Sequence, residues 1–345
     1  MTTMTKPLAG QVALVAGATR AAGRGIAREL AAAGAKVWCS GRSTREHPAT
    51  PGRPETIEET AELIVAAGGA AVAVQVDHQQ EAEVEALAAR IRAEDGRLDI
   101  LVNDIWGGDE ITQWGAPFWK LDMTVARTLL DQAVFSHLIT SRHMAPMMVE
   151  ANRGLIVEVT DGSRAGYRGQ LAYDWVKSSI NRLAYAMAWD LARTGVTALA
   201  VSPGFLRSEA MLDRFGVGED NWRDAVEKEA EFAYSETPHY VGRAVAALAA
   251  DPKVRRKAGA TFGVGDLAEE YGFTDLDGTQ PNFWRSVEAW LEGEFAKEGP
   301  LSEKAAWMAS SRYMSSHLTH AELARTYAER LGYRGLGAGL RPVGD

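Results

Sequence analysis

The chain of 345 residues has one cysteine, Cys39. That excludes an intrachain disulfide and a cysteine-rich zinc site. Positive charge is in deficit, with 37 Lys and Arg against 46 Asp and Glu and a net charge of −9. Such a balance argues against nonspecific binding to nucleic acid or to an anionic membrane. No apolar run approaches the roughly 18–20 residues that a transmembrane helix needs. Met1 to Pro7 holds no hydrophobic signal region. The seven histidines show no H-E-x-x-H spacing, so no metal is implied. No G-x-S-x-G elbow follows a strand, which argues against Ser/His/Asp hydrolysis. A charged fraction of 24 % and a hydrophobic class of 46 % are ordinary globular values. Disordered, collagen-like and coiled-coil readings fall. The expectation is a soluble cytoplasmic protein acting on a small molecule.

Strand-like and helix-like segments alternate along the chain. Strands are expected at Val12–Ala16, Lys36–Cys39, Ala71–Val76, Ile100–Asn103, Leu155–Val159 and Ala198–Ser202, with a last one near Ala260–Val264. Helices are expected at Gly23–Ala33, Thr56–Ala67, Glu81–Glu94, Val125–Glu150 (bent near Pro146) and Leu171–Arg193. Near-continuous apolar strands alternating with helices predict a parallel sheet covered on both faces. Right-handed crossovers then give an α/β, Rossmann-type doubly wound parallel sheet. Residues 1–267 read as that catalytic domain. Residues 268–345 read as a C-terminal helical extension. There Trp284, Val287, Trp290, Leu291 and Phe295 fall at helical spacing, as do Leu323, Ala324, Tyr327 and Leu331.

The first strand runs into Gly17-Ala18-Thr19-Arg20-Ala21-Ala22-Gly23. Small residues at 17, 21 and 23 let the backbone turn tightly and approach a pyrophosphate, and the next helix adds its N-terminal amides. Seven basic side chains lie within residues 20–53, against Glu29 and Glu46. The second strand ends in Ser40-Gly41-Arg42. An acidic residue there would bind a free ribose 2′-hydroxyl, whereas arginine accommodates a 2′-phosphate. NADP(H) is therefore expected over NAD(H), with Arg20 and Arg42 as its cationic contacts. Cys39, in mid-strand, reads as inert core.

With Tyr173-Asp174-Trp175-Val176-Lys177 added, the pattern resembles the short-chain dehydrogenase/reductase superfamily over about residues 8–267. Its supporting pieces are the Gly17/Ala21/Gly23 loop, Asp77, Leu98–Asn103, the Tyr173/Lys177 pair and Pro203-Gly204. The stretches Gly265–Gly272 and Asp275–Gly278 look like the branch that includes dehydrogenase/reductase SDR family member 1. The resemblance implies that Asp77 contacts the adenine amino group, with His78 beside it through its backbone. It implies that Asn103 lines the cofactor cleft. It also implies that Pro203, Gly204, Phe205 and Ser208 bracket the nicotinamide.

Tyr173 and Lys177 are four apart and share one helix face. A free tyrosine has a pKa near 10, and a neighbouring ammonium favours the phenolate. Poising the phenol near ~7 would take roughly 4 kcal/mol, which fits a lysine plus a cationic nicotinamide nearby in the oxidised complex. The phenol would then exchange a proton with a substrate oxygen while hydride moves to or from the nicotinamide. Lys177 would also hold the nicotinamide ribose.

The chain departs from that pattern in three places. Where the family has a serine near the end of the fifth strand stands Asp161, with Thr160 and Ser163 as neighbours. An ionised Asp161 would repel phenolate and alkoxide, opposing the work of Lys177. Burial could protonate it into a donor. It could turn away and leave the contact to Ser163 or Thr160. Or the substrate could carry a cationic centre such as an iminium. On the long helix, Ala133 or Gln132 takes the place of an asparagine that supports a proton-relay water in the family. Asn103-Asp104-Ile105-Trp106 replaces Asn-Asn-Ala-Gly.

Trp106, Trp114, Trp119, Tyr167, Phe205, Met211 and Phe215 suggest an aromatic pocket for a bulky hydrophobic substrate. Leu183, Tyr185, Met187 and Trp189 leave the Tyr173 helix apolar on more than one face, so a homodimer or homotetramer is expected. The leading expectation is an NADPH-dependent ketone reductase. Imine reduction, a non-redox isomerase, dehydratase or cyclase, and an NADP(H)-binding regulatory protein are the alternatives.

Overall fold

The computed structural model describes residues 6–162, 167–297, 302, 304 and 305. Five-residue β1 (Val12–Ala16) is buried throughout, as expected of a central strand covered on both faces. The chain continues through α1 (Ala21–Ala32), β2 (Lys36–Gly41), α2 (Ile57–Ala66), β3 (Ala70–Gln75), α3 (Glu81–Asp95) and β4 (Ile100–Asn103). Next come α4 (Met123–Leu130), α5 (Ser136–Glu150), β5 (Gly154–Val159), α6 (Leu171–Asp190), β6 (Val196–Ser202) and α7 (Glu209–Phe215). The chain then forms α8 (Pro238–Ala250), β7 (Thr261–Gly263), α9 (Val264–Tyr271) and α10 (Phe283–Ala296). The strands form one parallel sheet in the order β3-β2-β1-β4-β5-β6-β7. Order reverses between β1 and β4, and in such sheets ligands bind outside the strand ends at that point.

Two core clusters flank the sheet. One joins β1, α1 and α8 through residues such as Ile26, Leu30, Val241 and Val245. The other joins Leu14, Trp38, Leu87, Ile91 and Met144 beneath α3 and α5. Cys39 lies in the first, and burial pushes its thiol up to about 12.

The long helix differs from its expected form. It is broken by one π-helical turn at Asp131–Phe135, while Pro146 sits inside α5 without ending it. The extra residue in that turn fixes which side chain faces in. Ala133 is fully buried and Gln132 reaches the cleft. Helix α8 was not among the expected helices. Its signal is present in the spacing of Tyr240, Val241, Ala244, Val245 and Leu248.

The boundary drawn after residue 267 falls inside α9. Beyond it, α10 realises the helical spacing read from Trp284 to Phe295 and buries Val287 and Leu291. The second stretch, Leu323 to Leu331, lies outside the described residues. Among the described residues no helix is long and apolar enough to cross a membrane, and no group of three or more His, Cys, Asp or Glu could hold a metal ion.

Candidate active site

A cleft of about 560 Å³ opens along the strand ends at the switch point. At one wall the loop after β1 turns back on itself. Gly17 has φ +92°, and a Cβ there would collide with the Asp104 carbonyl. A Cβ at Gly23 would collide with the Gly17 carbonyl. The cradle therefore exists only because both side chains are absent. Ala21 also takes a positive φ of 48°, which costs an L-residue about 1–2 kcal/mol. Its amide donates to the Glu209 carboxylate at 3.0 Å. Thr19, Arg20 and Ala22 line this wall, and Arg20 donates to Thr50 at 3.3 Å.

Farther along the cleft, Arg42 lies against Gly107, and Asp77 and His78 line the cleft nearby. Asp77 accepts from the Gln79 amide at 3.1 Å, a local turn bond. Two expected contacts are turned inward. The Ser40 hydroxyl faces His78 Nε2 at 2.8 Å, and Ser40 does not line the cleft. Asn103 is fully buried, and its Nδ2 donates to Ser141 at 2.9 Å and Glu158 at 2.7 Å. Any part these two take in binding must come through the backbone. His78 bonds Thr140 with its other nitrogen, and burial brings its imidazole down to about 3.

The cradle, the α1 amides and the basic side chains suit a diphosphate-bearing dinucleotide. Opposite them, Pro203, Gly204, Phe205, Ser208 and Met211 line the cleft, and Ser208 caps α7 by accepting from the Met211 amide at 3.2 Å. A Cβ on Gly204 would meet Phe283 at 2.7 Å, so α10 rests directly on this loop. Phe283 itself lines the cleft.

Asp104 departs from ordinary carboxylate behaviour. It is enclosed by the glycine cradle, with Gly23, Lys177, His137 and Asp109 nearby, and burial raises it to about 7 against the pull of Lys177 and His137. A carboxyl raised in the folded state favours folding most below its unfolded pKa of about 4. That contribution is lost as pH rises to about 7. The stability advantage of Asp104→Asn over the wild type should therefore widen from pH 4 to 7 and then level. Chemical denaturation at four pH values reads this, and a pH-independent difference would contradict it.

At the reacting end, α6 carries Tyr173 and Lys177 on one face. Lys177 Nζ lies 4.2 Å from the Trp106 ring centroid and 5.5 Å from that of Tyr173. Burial lowers the Lys177 ammonium, against the pull of Asp161, Asp109 and Asp104. Trp106 and Trp114 pack on Tyr173 at centroid distances of 5.4 and 4.9 Å. Of the other aromatics, Phe205 lines the cleft and packs on Phe215, while Trp119 is 71 % exposed. Tyr167 is 42 % exposed and does not line the cleft.

The protein's own groups around the phenol run against the lowering expected from Lys177. Tyr173 is pushed well above the usual tyrosine range, by burial and then by Asp161. Its hydroxyl donates to Asp161 Oδ2 at 2.7 Å. Asp161 is corrected as well. Burial is the largest influence and would raise it, but Arg168, the Tyr173 hydrogen bond and Lys177 together outweigh burial, and the carboxyl lies below the usual range. It is not a buried neutral donor, and it faces Tyr173 instead of turning away. Thr160, which lines the cleft, donates to the Lys177 carbonyl at 3.0 Å and ties β5 to α6. Ser163 lies outside the described residues.

Arg168 is the site residue that the sequence reading missed. Its Nη2 and Nε donate to Asp161 Oδ2 at 2.8 and 3.1 Å, and its guanidinium sits 4.6 Å from the Trp284 ring centroid. The only signal was its place in a glycine-flanked loop seven residues after an unexplained aspartate.

The short chain dehydrogenase family matches residues 11–215. Dehydrogenase/reductase SDR family member 1 of Mus musculus is 34 % identical over 280 residues, which cover 80 % of this chain and 86 % of that protein. The 7alpha-hydroxysteroid dehydrogenase of Clostridium sardiniense is 30 % identical over 226 residues, 64 % of this chain and 79 % of that protein. One similar crystal structure, from Beutenbergia cavernae, is provisionally described as an NAD(P) dependent gluconate 5-dehydrogenase with NADP bound at low occupancy. It has a TM-score of 0.60 at 27 % identity, covering 76 % of this chain and 97 % of that one.

Proposed function

The chain belongs to the short-chain dehydrogenase family, and from that premise we propose that it is an NADPH-dependent reductase of a bulky hydrophobic ketone. The observation that carries this reading is Tyr173 beside Lys177 in the cleft, at the strand ends and opposite the glycine cradle. A bound nicotinamide would supply hydride. The chain's own residues do the rest. Tyr173 gives its proton to the substrate oxygen. Lys177 holds the ribose and adds positive charge behind the phenol. Gly17, Ala21, Ala22 and Gly23 seat the diphosphate, while Pro203, Gly204, Phe205 and Ser208 flank the nicotinamide. Asp77 and His78 face the adenine. Trp106, Phe205 and Met211 form the apolar walls, and Tyr167 stands at the rim.

The test is loss of reduced-nicotinamide absorbance across bulky ketones, quinones and cyclic imines. Turnover of ketones supports the reading. Tight NADPH binding with no turnover of any of them would sink it.

NADP(H) preference rests on Arg42 and Arg20 in this reading. Arg42→Ala is expected to weaken NADPH about tenfold or more and NADH hardly at all, since a charged hydrogen bond contributes about 1.5–3 kcal/mol. Fluorescence titration of both cofactors checks this, and equal losses would refute the 2′-phosphate contact. We propose a homodimer or homotetramer formed through α6, where Trp175 and Trp189 are 51 % and 75 % exposed. Light scattering that returned a monomer would contradict it. We assign α10 to closing the cleft mouth, where Phe283 lines the cleft.

A further inference from the structure

Arg168 and Tyr173 share a single acceptor. Three donor bonds converge on Asp161 Oδ2, two from the guanidinium and one from the phenol. A carboxylate so engaged accepts hydrogen bonds and offers none. It therefore cannot make the contact that a serine hydroxyl would make to a substrate oxygen, and its charge would oppose an alkoxide. Beside it stands a permanent cation. Arg168 has five N–H bonds, of which two go to Asp161. Among the described residues its other three side-chain N–H bonds have no acceptor. Arg168 lines the cleft, and its guanidinium is stacked over the Trp284 ring. Clamped between carboxylate and ring, it is oriented before any substrate arrives.

We propose that Arg168 is a catalytic residue that donates to the reacting substrate oxygen beside Tyr173, and that Asp161 serves to position it. This rests on the reductase reading above. In the reduction, the carbonyl carbon receives hydride and its π pair moves onto the oxygen. Arg168 stabilises that charge as it develops, and the Tyr173 O–H breaks to protonate the oxygen. The ketone is reduced and the nicotinamide oxidised, with no further reactant. Preorganised donors of this kind contribute most where water is excluded.

Two measurements test it together, with NADPH binding as the check on folding. The first is kcat on the best ketone for Arg168→Gln and Arg168→Lys. The second is the absorbance of 4-nitrophenol bound to the NADP⁺ complex, which reports whether the bound phenol is ionised. Arg168→Gln should lower kcat by about 10²–10³-fold. NADPH binding should hold, and the bound probe should shift from phenolate to phenol. The double variant Asp161→Ser with Arg168→Gln should recover part of the loss, because the hydroxyl restores a donor.

If Arg168→Gln keeps kcat within about threefold while Tyr173→Phe is inactive, Arg168 is only a partner for Asp161 and the reductase reading survives. If no ketone is turned over yet the probe ionises in an Arg168-dependent way, the oxyanion site stands and the reductase reading falls. A probe that is equally ionised with and without Arg168 overturns the assignment. So does loss of NADPH binding in both Arg168 variants, since the residue would then be holding the fold.

Discussion

Removal of one oxygen atom in Tyr173→Phe is expected to lower kcat by about 10²–10⁴-fold, with NADPH affinity unchanged. That is about 3–5 kcal/mol of transition-state stabilisation. The ring itself stays packed between Trp106 and Trp114, so the cleft keeps its shape. Only the proton donor is lost. Burial and Asp161 push the phenol up, so the proton stays on the oxygen through the neutral range. A proton so held suits carbonyl reduction, where it must be delivered, better than alcohol oxidation, where it must be taken up. The reduction rate should therefore hold or fall only slightly between pH 7 and 9, and oxidation should rise over the same range. Rates measured in both directions decide this. A Tyr173→Phe variant with more than a tenth of wild-type turnover would remove the phenol from the mechanism, and a reduction rate that collapses near neutrality would show that it titrates low.

The largest expected loss of stability lies beneath the site. His137 and Glu158 are both fully buried, with Nδ1 and Oε2 2.6 Å apart. The other imidazole nitrogen meets the Ile105 carbonyl at 3.0 Å, an acceptor that requires a hydrogen there. Glu158 also accepts from Asn103 at 2.7 Å. The pair thus braces β5 against the loop that carries Trp106. Taking away one partner of a buried pair costs about 3–5 kcal/mol, because the other is left uncompensated. His137→Ala should accordingly lower Tm by about 4–7 °C in a chain of this length. The double change His137→Leu with Glu158→Leu should recover much of it, because paired apolar replacements are often close to neutral. Calorimetry on both proteins is the check. A single-variant loss below about 1 kcal/mol would mean that water or Asn103 already satisfies the carboxylate.

Much of this was legible one segment at a time. The apolar run Val12–Ala16 followed by small residues at 17, 21 and 23 points to a strand, a tight turn and a helix start. Each of those properties is local. The Tyr173 and Lys177 spacing is legible for the same reason, since one helical turn fixes their common face. What escaped depends on partners brought together by the fold. Glu158 stands in plain view between two valines of a buried strand, yet its meaning comes from His137 on another helix. Arg168 acquires its role from Asp161 behind it and Trp284 in front. The sign of the Tyr173 shift turned on this same cluster. Lys177 and the opposing charge of Asp161 were both visible in the sequence, whereas the direct bond from the phenol to Asp161 depends on the fold. The π-helical turn likewise decides between Gln132 and Ala133, a choice of one residue that periodicity cannot make.

Trp284 reaches Arg168 from beyond the last strand, β7. During synthesis, the ribosome extrudes the whole sheet, the phosphate loop and the Tyr173 helix before that ring is available. A nascent chain can therefore acquire its nucleotide cleft while the guanidinium still lacks one side of its clamp. Capacity to bind cofactor and capacity to turn over substrate would then mature in sequence, the second waiting on the residues that follow β7.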